Sequence, residues 1–157
     1  MTLASPIDVV PYNPLWPQMF AEESARILSL IGPHVACVEH MGSTAVPGLA
    51  AKPVIDILIG VHHLADDALF LTPLASLGYL YKPEHEAVFP ERRYLHRIIN
   101  GVHTHHLHIV EPASDFFRQQ LRFRDLLRAY PEEAARYEAL KVQLAAQFRN
   151  DREAYTD

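Results

Sequence analysis

Cysteine is almost absent from this 157-residue chain: Cys37 stands alone, which excludes an intramolecular disulfide and a cysteine-rich zinc module. The opening Met1-Thr2-Leu3-Ala4-Ser5 lacks the basic and apolar regions of a signal peptide, so a reducing, cytoplasmic setting is expected. No stretch approaches the ~18 consecutive apolar residues that span a bilayer, and no membrane partner is expected. Positive charge is also scarce. Fourteen Lys plus Arg stand against 19 Asp plus Glu, a formal net charge of -5, which argues against a surface that coats nucleic acid in bulk. Gly/Ser linkers, low-complexity tracts and internal repeats are missing too, and the twelve prolines mark no single boundary. Residues 1–157 therefore read as one domain, and with 49% apolar residues the chain can bury a sizeable core.

Histidine, by contrast, is plentiful. Ten are present and five fall between His96 and His108, a stretch that overlaps the Arg92–Arg128 region carrying seven of the 14 positive charges. Trp16, Met19, Phe20, Ile27, Leu28 and Ile31 recur at helical spacing, and Gly32-Pro33 ends that helix. Val35–His40 reads as a short strand and Pro53–Val61, nearly all apolar and β-branched, as a central one. The spacing predicts a helix from His63 to Leu77, capped by Gly78 in a left-handed conformation. Tyr79–Tyr81, Arg93–Ile99 and His105–Val110 read as three more strands, the last two made antiparallel by the turn at Asn100-Gly101. Ser114 caps a helix carrying Phe116, Phe117, Leu121, Phe123 and Leu127, and Pro131 opens another with Tyr137, Leu140, Leu144 and Phe148 on one face. The order α-β-β-α-β-β-β-α-α predicts an α+β fold: a mixed, mostly antiparallel sheet of about five strands flanked by helices.

Two constellations could carry chemistry. In the first, Gly42-Ser43 closes a strand, where a turn without a bulky side chain leaves N–H groups and a hydroxyl open to a phosphate. Asp56 lies inside the next strand, where an ionised carboxylate without partners is costly to bury. Alternation puts Ile55, Ile57, Ile59 and Val61 on one face and Lys52, Val54, Asp56 and Leu58 on the other. The second face is the expected site. The plainer alternative is a tight turn beside a structural Asp. In the second constellation, His106 and His108 project from one strand face about 7 Å apart, a pair that can share an ion with Asp56 and leave a coordination position open. Imidazole suits zinc, manganese or iron. Alternatively the two histidines bind phosphate or stack on a base without metal. Arg92, Arg93 and Arg97 offer guanidinium forks for phosphate, with Arg93 and Arg97 on the same face. Arg118, Arg122 and Arg128 read as a solvated face, Arg124 as an ion pair or a ligand contact, and Cys37 as core.

Several motifs resemble the GrpB family, an uncharacterised bacterial group also found joined to dephospho-coenzyme A kinase. They run from Val9-Val10-Pro11-Tyr12 and Trp16-Pro17, through Met41-Gly42-Ser43-Thr44-Ala45-Val46-Pro47-Gly48-Leu49-Ala50-Ala51-Lys52-Pro53 and Asp56, to Thr104-His105-His106-Leu107-His108, Phe123–Arg128 and Tyr137–Lys141. The resemblance implies a nucleotidyltransferase-type fold in which a Gly-Ser turn precedes a strand bearing metal-binding acids. Asp56 matches the first acid; Leu58 stands where the second is expected, and His106 and His108 stand on the strand that would supply a third. Family members often continue past the point where Glu153–Asp157 ends this chain. The expected activity is nucleotidyl transfer on a nucleotide or other phosphorylated small molecule. Asp56 and Lys52 would be the catalytic residues, with Gly42, Ser43, Lys52 and Arg93 on the phosphate. Asp56, His106 and His108 would hold one divalent ion (Mg, Mn or Zn). The alternatives are a non-catalytic nucleotide- or coenzyme A-binding module and a metal-dependent hydrolase.

Overall fold

The computed structural model describes residues 8–147; Phe148 and the segment 153–157 lie outside them. The elements follow the predicted order: α1 (Trp16–Ile31), β1 (Val35–Met41), β2 (Ile55–Val61), α2 (Ala68–Ala75), β3 (Leu80–Tyr81), β4 (Arg93–Ile99), β5 (Val102–Val110), α3 (Asp115–Ala129) and α4 (Pro131–Gln147). Local chemistry sets most boundaries. Pro17 sits in the first turn of α1, and the Ser114 hydroxyl accepts from the Phe117 N–H at 3.3 Å to start α3. Asn100 and Gly101, both at positive φ (52° and 78°), make the tight hairpin turn, and pairing resumes at once with Ile99 opposite Val102. β5 therefore starts three residues earlier than its apolar run suggests.

One expected helix is shorter than its periodicity. Residues 64–66 form a separate 3-10 turn, with the Leu64 N–H donated to a Glu111 carboxylate oxygen at 2.9 Å, and only Ala68–Ala75 is α-helical. Pro73 inside α2 has no N–H to donate, which limits the helix further. Gly78, at φ 88°, closes the segment as predicted.

The strands form one sheet in the order β1-β2-β5-β4-β3, antiparallel except for the central β2–β5 pair. One face is the main core. Ile55, Ile57, Ile59 and Val61 of β2, with Leu95, Leu107 and Ile109, pack on Trp16, Ile27 and Ile31 of α1 and Phe70 and Leu74 of α2. Each such side chain contributes about 1.5–3 kcal/mol of transfer free energy. On the opposite face α3 covers only part of the sheet, where Phe116 meets Met41, Leu58 and Val110. Two expectations about helix faces change here. Phe123 is exposed and rests its edge on the Tyr137 ring, and α4 turns Lys141 and Ala145 inward while Leu140 faces solvent. The helix meets the molecule at an angle that buries the 137–141–145 stripe.

Candidate functional site

The β1–β2 connection is held in place by polar ties from three elements. The Thr44 hydroxyl donates to the Val54 carbonyl at 3.2 Å, so it accepts from His40 Nε2 at 2.9 Å, which fixes the proton of His40 on that nitrogen. Burial lowers His40 to about 4 and keeps it neutral. From α3, Arg124 donates to the His40 carbonyl at 3.0 Å and pairs with Glu39 at 2.8 Å, while Arg128 donates to the Ala45 carbonyl at 2.9 Å. From α4, Glu138 accepts the Ala50 N–H at 2.7 Å. Arg124 is thus the ion pair of the plainer alternative, and it joins α3 to β1.

Those ties bring the Gly42-Ser43 turn against Asp56. Gly42 has φ 75° and ψ -173°, a conformation essentially reserved for glycine. A Cβ placed on it would lie 2.7 Å from Asp56 Oδ2. The glycine is required because the carboxylate already occupies that space, a more immediate cause than room for an incoming ligand.

Strand register completes the cluster. Parallel pairing sets Asp56 beside His106 and Leu58 beside His108, and β4 places His96 beside His106 and Tyr94 beside His108. Asp56 Oδ1 lies 3.1 Å from His108 Nε2 and 3.5 Å from His106 Nδ1, and the carboxylate is 18% exposed. Burial alone would raise its pKa; the hydrogen bonds and charge of His106 and His108 outweigh that and hold the carboxyl well below the usual carboxylate range. His108 is shifted down by burial, partly offset by Asp56. Behind it, the Arg92 guanidinium stacks on Phe89, Tyr94 and Phe116 and reaches His108 Nδ1 at 3.2 Å. His103 Nδ1 meets His106 Nε2 at 2.9 Å.

These contacts decide how well the residues suit a metal ion. Arginine can only donate, so His108 Nδ1 accepts from Arg92 and its proton sits on Nε2, directed at Asp56. Ligation through Nε2 would turn an Nδ1–H toward the guanidinium, donor against donor. The set Asp56, His106 and His108 therefore does not fit the three-ligand centre expected of it. Among the described residues no group of three or more His, Cys, Asp or Glu side chains is disposed to hold an ion.

Of the other expected residues, Ser43 lies within hydrogen-bonding reach of the Tyr137 phenol, and Lys52 is near enough to Lys141 to disfavour its charge. Arg93 does not join the site. Alternation puts it with Leu95 and Arg97 on the other face, where it binds Asp67 at 3.0 Å, Glu86 at 3.3 Å and the Pro90 carbonyl at 3.0 Å. Arg92, one residue earlier, is the arginine on the Asp56 face. Arg97 belongs to a buried network with Glu23 (2.9 Å), His105 and Tyr79. Lys141 is not among the expected residues, because the spacing of Tyr137, Leu140 and Leu144 turns Leu140 inward and only the docking of α4 buries the lysine instead. Cys37 packs against Gly60, and burial raises its thiol pKa, as befits a structural residue.

The GrpB protein family model matches residues 6–157. The chain belongs to the GrpB family. It is 38% identical over 141 residues to UPF0157 protein YqkA of Bacillus subtilis, covering 90% of this chain and 40% of that protein. The fold is that of the conserved protein GrpB from Enterococcus faecalis, known from a crystal structure, with a TM-score of 0.86, 35% identity, and coverage of 94% of this chain and 88% of that one. A dephospho-CoA kinase of Mycolicibacterium paratuberculosis is 40% identical over 78 residues, 48% of this chain and 19% of that protein. Among the described residues no helix is long and apolar enough to cross a membrane.

Proposed function

We propose that the Asp56 face of this GrpB-family chain binds a phosphorylated small molecule, a nucleotide or comparable ester, and transfers its nucleotidyl group. In this reading Ser43 and Lys52 hold a phosphate. Asp56 orients an acceptor hydroxyl by accepting its hydrogen bond; as that oxygen attacks phosphorus its proton passes to solvent, and the bond to the departing diphosphate breaks with its electron pair on that leaving group. The observation that carries the reading is the contact of Gly42 with Asp56. It sets a turn suited to phosphate directly beside a carboxylate held ionised by two histidines. Because His108 is committed to Arg92 and Asp56, no step passes through a resident ion, and the metal-dependent hydrolase loses its support.

The test is calorimetric titration with ATP, AMP and dephospho-coenzyme A, followed by phosphorus NMR of ATP incubated with candidate hydroxyl acceptors. Binding of ATP with release of diphosphate, lost in Asp56→Asn while ATP still binds, is expected. A second reading, a non-catalytic nucleotide- or coenzyme A-binding module, is favoured by Leu58. That side chain is fully buried against Met41 and Phe116, so the strand offers no second acid there. Binding without diphosphate release would select it, and no binding of any of the three would refute both.

A further inference from the structure

We propose that Arg92 anchors a carboxylate subsite on the Asp56 face, entered past Phe89 and suited to a small organic acid with an apolar body. The subsite stands apart from the phosphate reading above, which uses Ser43 and Lys52. Arg92 is only 8% exposed, and its Nε is a buried donor without a hydrogen-bond partner. Among the described residues it also lacks a carboxylate in ion-pair contact, whereas Arg93, Arg97 and Arg124 hold Asp67, Glu23 and Glu39 at 3.0, 2.9 and 2.8 Å. Arg97 shares the unpartnered Nε but not the missing counter-ion. The hydrogen bond that Arg92 does make, from Nη1 to His108 Nδ1 at 3.2 Å, goes to an imidazole that burial disposes to stay neutral.

The rest of the enclosure is aromatic. The guanidinium carbon lies 4.7 Å from the Phe89 ring centroid, 5.1 Å from that of Phe116 and 5.3 Å from that of Tyr94. Ring faces attract a cation, yet they accept no ordinary hydrogen bond in place of the missing oxygens. Burial lowers the pKa of the guanidinium, and Tyr94 and Glu91 offset that only in part. Asp56 does not serve as a direct counter-ion, since the His108 ring stands between the two. Fixing the His108 proton uses only Nη1. Nε and Nη2 project together along the other edge of a guanidinium, the pair of donors that grips a carboxylate side by side. One positive charge among three rings suits a singly charged carboxylate, whereas a dianionic phosphate monoester would leave a charge unbalanced in apolar surroundings. Phe116 and Tyr94 are buried, but Phe89 is 37% exposed and follows the exposed Val88. A ligand therefore reaches Nε by displacing Phe89, and its apolar body rests against these two side chains.

Benzoate, benzyl alcohol and inorganic phosphate are the probes, titrated calorimetrically and followed by nitrogen NMR of the arginine side chains. Benzoate should bind the wild type at millimolar concentration and shift the Arg92 Nε–H resonance, with His108 Nδ1 unchanged because Nη1 keeps its bond. Benzyl alcohol, the same ring without the charge, should bind at least about 10-fold more weakly, and phosphate should leave the Nε–H resonance in place. Arg92→Lys keeps the charge and removes the fork; it should weaken benzoate about 10- to 100-fold, the equivalent of one charged hydrogen bond. The subsite is overturned by benzyl alcohol binding as tightly as benzoate, by phosphate shifting Nε–H as far as benzoate does, by equal benzoate affinity in Arg92→Lys, or by no benzoate binding at millimolar concentration. If Arg92→Lys fails to fold, the Nε–H resonance of the wild type still decides. ATP binding without benzoate binding overturns this subsite and leaves the phosphate reading intact; benzoate binding without ATP binding does the reverse.

Discussion

Replacing Gly42 by alanine tests whether the Asp56 carboxylate is wedged in place by the turn beside it. The new Cβ would stand 2.7 Å from Oδ2, 3.2 Å from Cβ and 3.3 Å from Cγ of Asp56, so rotating the carboxylate alone does not clear the overlap. The backbone conformation costs of order 1–3 kcal/mol for a residue with a side chain. Moving Asp56 loosens a charged hydrogen bond worth about 1.5–3 kcal/mol. The sum is roughly 2.5–6 kcal/mol, and at about 2–4 °C per kcal/mol for a chain of this size the melting temperature should fall by roughly 5–25 °C. Gly48→Ala is the control. Gly48 also has a positive φ, 81°, but a Cβ there would meet nothing within 4 Å. Calorimetric melting of the two variants separates backbone strain from collision: Gly42→Ala should lose about 1.5–3 kcal/mol more than Gly48→Ala. Nitrogen NMR should also show His108 Nε2 losing its bond to Asp56 only in Gly42→Ala. Equal losses in the two variants, with His108 undisturbed, would refute the reasoning.

Two further expectations concern the interior. His40, His96 and His105 are each pushed down to about 4, burial being the first cause in every case, so the unfolded chain binds these protons before the native state does. Stability should therefore fall from about pH 6.5 to about pH 4, by at most about 1.4 kcal/mol per pH unit for each histidine, in urea unfolding at stepped pH; a flat profile over that window would show them protonated in the fold. Glu23 is fully buried, accepts from Tyr79 at 3.0 Å and pairs with Arg97 at 2.9 Å; burial alone would raise its pKa, but these partners hold it below the ordinary value. Glu23→Gln leaves the Arg97 guanidinium without its carboxylate and should cost about 3–5 kcal/mol in urea midpoint analysis, whereas a loss below about 1 kcal/mol would mean the network is dispensable.

Much of this architecture is written in local spacing. The twofold alternation of Ile55, Ile57, Ile59 and Val61 assigns Asp56 to the opposite face, and the same alternation pairs His106 with His108. Asn100-Gly101 and Ser114 mark a hairpin and a helix start because turn and cap chemistry involve only neighbouring residues. Alternation also separates Arg92 from Arg93, but only once the face carrying Asp56 is known on β4. That knowledge comes from register. The partners on β2 and β5 are fifty residues apart, and nothing nearby in the chain dictates that Asp56 lies beside His106 and Leu58 beside His108. The packing of Ile55, Ile57, Leu107 and Ile109 under α1 and α2 sets it, because a slip of one residue would turn that core to the other side. The direction in which His108 points its proton depends on Arg92 from a third strand end. The burial of Lys141 depends on how α4 docks, since spacing alone turns Leu140 inward and the tie of Glu138 to Ala50, with Tyr137 meeting Ser43, turns Lys141 inward instead. Periodicity is a property of a few consecutive residues. Register, proton placement and helix docking are properties of the whole packed core, and the chemistry of this face is assembled from those three.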